Sequence, residues 1–215
     1  MWVARKTSDI TIEDMETYLP NCKPLSSYEK GCIINVRDRM QRCQYTLQCE
    51  PARTVSDLKT TFKLKGGGVR EFDPHMLPHE ILACGVFSGR YLNDCMDEYP
   101  REWFEKAIQN RVLDPFVKGQ KSNPTYNYYQ VHASQSLHSW KENGWLYGND
   151  IRGWLQWFFR YALGRRCPEI DCIQMRRWRA YKRHFARLQK SKKKSKSMSP
   201  VTQQGLLQWA WPHKL

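Results

Sequence analysis

The segment from Ile151 to Leu163 constrains the fold more than any other part of the sequence. Its large apolar side chains are Trp154, Leu155, Trp157, Phe158, Phe159 and Tyr161. They leave almost no polar side, and a helix that is apolar all round belongs in a protein core. Asp150 stands where an N-cap is expected, and Gly164 stands where a glycine ends a helix. The sequence therefore predicts a buried central helix.

Further helices are predicted from apolar residues that recur every three or four positions and from helix-boundary residues. The predicted segments are 11–19, 33–47, 79–84 after Pro78, 101–108 after Pro100, 135–143 after Ser134, and 168–189 from Pro168. Residues 59–72 alternate basic or hydroxyl residues with apolar ones around three glycines, which indicates a hairpin or a loose connection between subdomains. The predicted fold class is mainly α: a compact helical domain with a short β-hairpin near 59–72 and a basic C-terminal helix and tail.

The composition divides the chain into four predicted regions. They are a helical N-terminal region 1–77, a helical core domain 78–189 that contains the basic helix 168–189, a disordered Lys/Ser linker 190–200, and a short docking segment 201–215. Met198 is the one large apolar side chain of the linker, so the linker buries too little apolar surface to offset the entropy lost on folding. The docking segment, by contrast, contains three leucines and two tryptophans, and we expect it to pack back on the body.

Positive charge is concentrated in the last third of the chain. Residues 151–215 contain 16 Lys or Arg and 2 Asp or Glu, whereas residues 1–150 contain 19 of each, so the net charge of +14 arises in the last third. The predicted basic helix has one apolar stripe and one arginine stripe at the same spacing. The arginines are Arg176, Arg179, Arg183 and Arg187. A row of this kind on a rigid helix can contact successive phosphates. The alternative is a solvated helix face with a solubilising tail.

These features predict a nucleic-acid-binding protein, with DNA ahead of RNA as the partner. Phosphate contacts would dominate, so we expect modest sequence specificity. The predicted binding residues are Arg160, Arg165, Arg166, Arg176, Arg177, Arg179, Lys182, Arg183, Arg187, Lys192, Lys193 and Lys194. Tyr126, Tyr128, Tyr129 and His132 are candidates for stacking on unpaired bases, although core packing is the commoner role of such residues.

An enzyme that acts on nucleic acid or nucleotides is the first alternative. Asp94, Asp97 and Glu98 are weak catalytic candidates, because carboxylates three or four residues apart can converge on a divalent ion. His184 is a further weak candidate. Capping and solvation before Pro100 is the simpler explanation of the acidic cluster and is favoured. We expect no cofactor, and a divalent metal only under this alternative, since no zinc-ligand spacing and no phosphate-binding loop occurs.

A second alternative is a basic subunit of a ribonucleoprotein or virion. Trp209 and Trp211 would then be candidates for contact with a protein partner. No stretch approaches the roughly 18–20 apolar residues of a spanning helix. The first 19 residues lack the apolar core of a secretory signal. We therefore expect no membrane partner and a reducing compartment, the nucleus or the cytoplasm.

Several phrases of the sequence resemble a family of small basic proteins found in viral and cellular genomes. They are Gly144-Trp145-Leu146, Arg152-Gly153-Trp154 through Tyr161, Gly164-Arg165-Arg166, Asp171, Gln174, Arg177-Trp178 and His184, with similar phrases between Gly85 and Trp103, at Ser134–Leu137 and at Leu206–Ala210. The resemblance covers about residues 78–211. Because no activity is established for that family, the resemblance implies a fold unit rather than a function. It draws attention to one polar set: Asp94, Glu98, Arg160, Arg165, Arg166 and His184.

Overall fold

The computed structural model describes residues 12–113, 122–193 and 199–214. Its helices are α1 (Ile12–Tyr18), α2 (Pro78–Cys84), α3 (Glu102–Gln109), α4 (Leu137–Glu142), α5 (Trp154–Leu163), α6 (Pro168–Ala180), α7 (Lys182–Lys193) and α8 (Pro200–Gln208). Its strands are β1 (Ile33–Arg37), β2 (Arg42–Thr46), β3 (Thr60–Lys63) and β4 (Val69–Phe72). The strands form two separate antiparallel hairpins, β1–β2 and β3–β4. In these ranges no helix is both long and apolar enough to span a bilayer.

Helix α5 lies at the centre of the core, as predicted. All ten of its residues are buried. Phe72 of β4 makes edge-on contacts with Trp157, Phe158 and Tyr161, with ring centroids 5.7, 6.0 and 5.8 Å apart. The aromatic side chains that made the segment apolar on every side therefore find partners all round the helix.

The two ends of α5 differ in how well they were predicted. Gly164 ends the helix in the left-handed conformation, with φ of 114°. A Cβ atom there would collide with the Cys49 carbonyl oxygen. The predicted cap Asp150 is wrong, because Gly153 is the N-cap residue and makes no side-chain hydrogen bond. Asp150 lies three residues earlier and pairs with two arginines instead.

The predicted helix over 33–47 is wrong, since this segment is the hairpin β1–β2. Ile33 is opposite Thr46, and Arg37 is opposite Arg42. Asp38 Oδ1 accepts the backbone N–H groups of Met40 (2.6 Å) and Gln41 (2.9 Å), which stabilises the tight connection. The predicted mainly α class included only one of the two hairpins. The described architecture is a set of helices with two small antiparallel sheets.

The hairpin predicted near 59–72 is confirmed as β3–β4. It packs on α6: Arg176 Nε donates to the Lys63 carbonyl oxygen at 2.8 Å, and Cys172 Sγ contacts the same oxygen at 3.2 Å. Phe62 of β3 and Phe72 of β4 are buried. The hairpin and the basic helix are therefore parts of one surface.

The predicted basic helix is divided into two. Helix α6 ends at Ala180 and α7 begins at Lys182. Helix α7 continues to Lys193, so the first residues of the Lys/Ser run are helical, and residues 194–198 lie outside the described ranges. Helix α8 and the residues after it pack on α5 and α6, with Trp209 stacked against Trp154 at 4.8 Å between ring centroids.

The remaining helix predictions agree in position, with shifted boundaries. Helices α1, α2 and α3 lie where the sequence predicts them. Helix α4 begins later than expected, because the Ser136 hydroxyl and not Ser134 accepts the N-cap hydrogen bond, from the Ser139 N–H at 3.1 Å. Residues 122–131 contain a single 3-10 turn, Pro124–Tyr126.

Candidate nucleic-acid interface

Glu98 and Arg160 form a buried ion pair below the first hairpin. Both guanidinium-to-carboxylate distances are short, 2.6 Å from Nε and 2.9 Å from Nη2. The Arg160 side chain is 0% exposed. Tyr45 of β2 donates its hydroxyl to Glu98 Oε1 at 2.8 Å. Burial and the adjacent Glu98 carboxylate raise the pKa of Tyr45, so its phenol remains a donor.

Asp150 extends this ion pair to a second arginine. Its Oδ1 accepts from Arg160 at 3.1 Å, and its two oxygens accept from Arg165 at 2.8 and 2.7 Å. Asp150 is 1% exposed, so the carboxylate is fully used inside the protein. Arg160 and Arg165, both predicted to bind phosphate, are thus held in the core and are not available to a ligand on the surface.

Arg152 forms the other buried ion pair of this region. It binds Asp94 through two hydrogen bonds of 3.2 and 2.9 Å, and it binds Asp38 in the β1–β2 turn at 3.1 Å. Burial alone would raise the pKa of Asp38, but hydrogen bonds from Arg152 and from two backbone N–H groups lower it below its ordinary value. This arginine therefore joins the first hairpin to the core.

The acidic cluster predicted as a weak catalytic site is divided among different partners. Asp94 pairs with Arg152 and Glu98 pairs with Arg160, while Asp97 is exposed between them. Across the described ranges, no group of three or more His, Cys, Asp or Glu residues is placed to hold a metal ion. The carboxylates are arranged to neutralise buried guanidinium groups.

Three of the predicted binding arginines have mainly backbone partners. Arg166 donates to the carbonyl oxygens of Tyr161 (2.6 Å) and Arg165 (2.8 Å), and it lies over the Tyr161 ring at 3.8 Å. Arg176 donates to Lys63 O, and Arg177 donates to Trp145 O at 2.9 Å. These side chains are half-buried, so they hold loops against α5 and α6 while keeping their charge.

Helix α7 presents the exposed part of the basic stripe. Lys182, Arg183, Arg187 and Lys190 are exposed, whereas Leu188 is buried on the other side. Arg183, Arg187 and Lys190 follow the three-four spacing that places residues about 6 Å apart along one helix face. Among the described residues, no carboxylate lies within ion-pair distance of Arg179 or of these four side chains. The side chains of Lys192 and Lys193 are outside what the structure describes, as is the whole of Lys194.

The second hairpin adds cations that the site prediction did not include. Lys63, Lys65 and Arg70 are exposed on β3–β4, and the hairpin is bonded to α6 through Lys63 O. We use the name basic surface for the following set: Lys63, Lys65, Arg70, Arg176, Arg179, Lys182, Arg183, Arg187 and Lys190. The available signal was the density of Lys and Arg in residues 59–72, but only the packing shows that they adjoin the helix.

His184 lies against arginines rather than against a carboxylate. Its Nε2 accepts from Arg183 Nε at 3.3 Å. Burial and the charges of Arg183 and Arg187 lower the pKa of His184, so the ring is neutral at pH 7. The arrangement does not pair His184 with Asp94 or Glu98 as acid and base, and it marks a region of positive potential.

The predicted stacking tyrosines anchor the end of the chain. Tyr129 donates its hydroxyl to the His213 carbonyl oxygen at 2.9 Å, and the rings of Tyr128 and Tyr129 contact the His213 ring edge-on. Tyr126 lies over Gly89, where a Cβ atom would come within 3.0 Å of its ring. His132 Nδ1 is 3.4 Å from the Ser122 hydroxyl.

The basic surface can bind anions, because it is a set of cationic side chains. It supplies guanidinium and ammonium donors, and the exposed carboxylate of Glu71 lies on the same hairpin as Lys63 and Arg70. Comparison of the chain with protein-family models, with curated proteins and with solved structures found no match. The functional conclusion therefore depends on the residues and their geometry.

Proposed function

We propose that the protein binds nucleic acid through the basic surface, chiefly by contacts to backbone phosphates, with DNA ahead of RNA. The observation that supports the proposal most strongly is the distribution of ion pairs. Arg152, Arg160 and Arg165 are neutralised by carboxylates in the core. In the described part of α6 and α7, the arginines have no carboxylate partner. Unneutralised cations on a surface attract polyanions whatever their sequence.

The two acids of the last third, Glu169 and Asp171, both lie in the first turn of α6. Asp171 is buried and accepts from the Trp157 indole N–H and the Cys167 backbone N–H, both at 2.8 Å. Glu169 lies in the first turn of α6, where the helix dipole favours a negative charge. From Cys172 to Lys193 the sequence contains no Asp or Glu. The positive potential therefore extends over more than twenty residues.

The row of cations on α7 is supported by packing on the opposite side of the helix. Phe185 contacts the Trp211 ring at 5.5 Å and the His75 ring at 6.5 Å, and Leu188 is 5% exposed. Because the helix is fixed by these contacts, the backbone that presents Arg183 and Arg187 is already ordered. A ligand then orders only the side-chain ends, which lowers the entropic cost of binding.

The proposed contact of Trp209 and Trp211 with a protein partner has less support. Trp211 is 6% exposed and stacks on Trp178 at 4.6 Å, and Trp209 stacks on Tyr181 at 4.2 Å. Both rings thus pack within their own chain. A role as a basic subunit of a larger assembly, like the nuclear or cytoplasmic location, stays an expectation from the sequence.

Fluorescence anisotropy tests the proposal with labelled single-stranded DNA, duplex DNA and hairpin RNA over a salt series. The variant Arg179→Ala/Arg183→Ala/Arg187→Ala should bind all three more weakly. The slope of log K against log salt should become shallower by about 2 for single strands, because each lost phosphate contact contributes roughly 0.7.

A matched control removes the same charge elsewhere. Arg37, Arg39 and Arg42 are exposed on the first hairpin, outside the basic surface. The variant Arg37→Ala/Arg39→Ala/Arg42→Ala should keep most of the affinity. Equal losses in the two triple variants would show that net charge alone drives binding, and no binding by the wild-type chain would overturn the proposed function.

A further inference from the structure

A cavity of about 250 Å³ lies beside the junction of α6 and α7. Its wall contains six aromatic side chains: Phe87, Trp140, Trp145, Trp154, Tyr181 and Trp209. Cavities for drug-sized ligands are usually about 300–1,000 Å³. This cavity is therefore suited to one ring system. Trp154 and Trp209 already stack on rings of their own chain, so the exposed Trp145 is the side chain on which a ligand ring can stack.

Two polar side chains in the cavity wall can make further polar contacts with a ligand. Gln208 is 3% exposed, and its Nε2 has no hydrogen-bond partner among the described residues. Arg177 donates to Trp145 O and to Gln174 Oε1 but is within reach of no described carboxylate. A buried amide donor without a partner is costly, so a ligand with an acceptor at this position would gain a hydrogen bond.

The charge in the cavity wall selects the class of ligand. Aromatic cages commonly bind quaternary ammonium groups. Here the Arg177 guanidinium lies over the Trp209 ring, 5.5 Å from its centroid, and it would repel a cation. The wall instead favours a planar, electron-rich ring with carbonyl or ring-nitrogen acceptors. A nucleobase has these properties.

The cavity is continuous with the basic surface through three side chains in contact. Tyr181 lines the cavity, its ring lies 5.2 Å from the His184 ring, and His184 Nε2 accepts from Arg183. Trp145, also in the cavity wall, is 39% exposed and is accessible from solvent. A nucleotide with its base in the cavity would thus have cations of α7 nearby for its phosphate.

We propose that the cavity binds one unpaired base of a single-stranded nucleic acid whose backbone follows the basic surface. The base stacks on Trp145, and the Gln208 amide donates to an acceptor on the ring. This inference rests on the proposed function and makes it narrower, because it requires a preference for single strands over duplexes. Stacking of a base on an aromatic side chain tolerates any base, so sequence selectivity remains low.

The base site is tested first with mononucleotides. Titration of the full chain with AMP, CMP, GMP and UMP, followed by tryptophan fluorescence excited at the red edge of absorption, should show saturable binding. Ribose 5-phosphate, which has the sugar and phosphate without the base, should bind much more weakly. Trp145→Ala and Gln208→Leu should each weaken mononucleotide binding about tenfold, the effect expected for loss of a stacking face or a buried hydrogen bond.

The matched control for Trp145→Ala is Met40→Ala. Met40 is 41% exposed, close to the exposure of Trp145, but it does not line the cavity. It should leave mononucleotide binding unchanged. Because Trp145 is at the surface, its variant keeps the test valid even where Gln208→Leu fails to fold.

Oligonucleotides then separate this inference from the proposed function. Wild-type protein should bind single strands more tightly than duplexes, and Trp145→Ala should abolish the preference while leaving duplex affinity unchanged. Mononucleotides that bind no better than ribose 5-phosphate, with no preference for single strands, would overturn the base site and leave the proposed function standing. Mononucleotide binding without any oligonucleotide binding would overturn the proposed function and, with it, the cavity as a site for a base of a nucleic-acid strand.

Discussion

Glu98 is expected to be one of the side chains on which stability depends most. Its carboxylate holds the fully buried Arg160 through two hydrogen bonds. Removal of one member of a buried ion pair leaves an uncompensated charge and costs about 3–5 kcal/mol. We expect Glu98→Ala to lower the free energy of unfolding by this amount, measured by urea denaturation. The residual Asp150 contact places the loss toward the lower end.

Asp97 provides the control for this substitution. It lies in the same 3-10 turn and is exposed. Asp97→Ala should change the free energy of unfolding by less than about 0.5 kcal/mol. Similar losses for the two variants would contradict a special role for the Glu98–Arg160 pair and indicate that the turn is sensitive to any change.

His184 reports on the charge of the basic surface. Its pKa is lowered by burial and by Arg183 and Arg187, so a bound phosphate that offsets these charges should raise the pKa toward its ordinary value. The measurement is a pH titration of the histidine ring signals by NMR with and without single-stranded DNA. His79, whose pKa is lowered by burial, stacks on Trp103 and should titrate unchanged. An unchanged His184 pKa in a saturated complex would place the ligand elsewhere.

The sequence identified the polar residues of the core without showing what they do. Arg160 is the one charged residue of a buried helix, which by itself requires a buried carboxylate partner. Glu98 was singled out too, but as a weak acid or metal ligand. The two are 62 positions apart, and residue spacing gives no information on a pairing at that separation. Local patterns thus indicated which residues matter, and only the fold showed that they neutralise each other.

At the scale of secondary-structure elements, the wrong prediction for residues 33–47 arose because their apolar residues fit both the helix period and the strand period. Residues 33–47 place apolar residues at three-four spacing, which predicts a helix. The same segment also alternates Ile34 with Val36 and Cys43 with Tyr45, which suits a strand pair. Several of its apolar residues are β-branched, and its Asp38 forms a turn, so the hairpin is favoured.

Gly164 is expected to tolerate no side chain. Its φ of 114° is unfavourable for other residues, and a Cβ atom would collide with the Cys49 carbonyl oxygen, which belongs to a segment bonded to Gly164 O. Gly144 has a φ of 64° with nothing within 4 Å of a Cβ, so Gly144→Ala isolates the backbone cost of about 1–2 kcal/mol. Gly164→Ala should lower the free energy of unfolding by clearly more, as measured by urea denaturation. Equal losses would refute the contact with Cys49.

At the scale of the whole molecule, the charge distribution was the property that the sequence predicted most directly. The counts alone placed the excess of cations in the last third, and the exposed cations of α7 lie there. The cavity was not predictable in the same way. Its wall combines Trp140 and Trp145 with α5, α6 and α8, so it exists only when segments far apart in sequence come together.

The stability contributed by the packing of His213 against the rest of the protein should depend on pH. His213 is 8% exposed, its ring contacts Tyr128 and Tyr129, and its carbonyl oxygen accepts from Tyr129 and Gln203. Burial, and then the charge of Lys214, lowers the pKa of His213 from 6.5 to about 4. Between these values the unfolded chain binds a proton that the folded chain does not, so stability is fully present above pH 6.5 and is lost as the pH falls toward 4. The Tm of the wild-type protein should therefore fall between pH 7 and pH 5 by more than that of His213→Phe, whose ring fills the same site without titrating. Parallel falls in the two proteins would assign the acid sensitivity to other groups, because the remaining histidines and carboxylates are common to both.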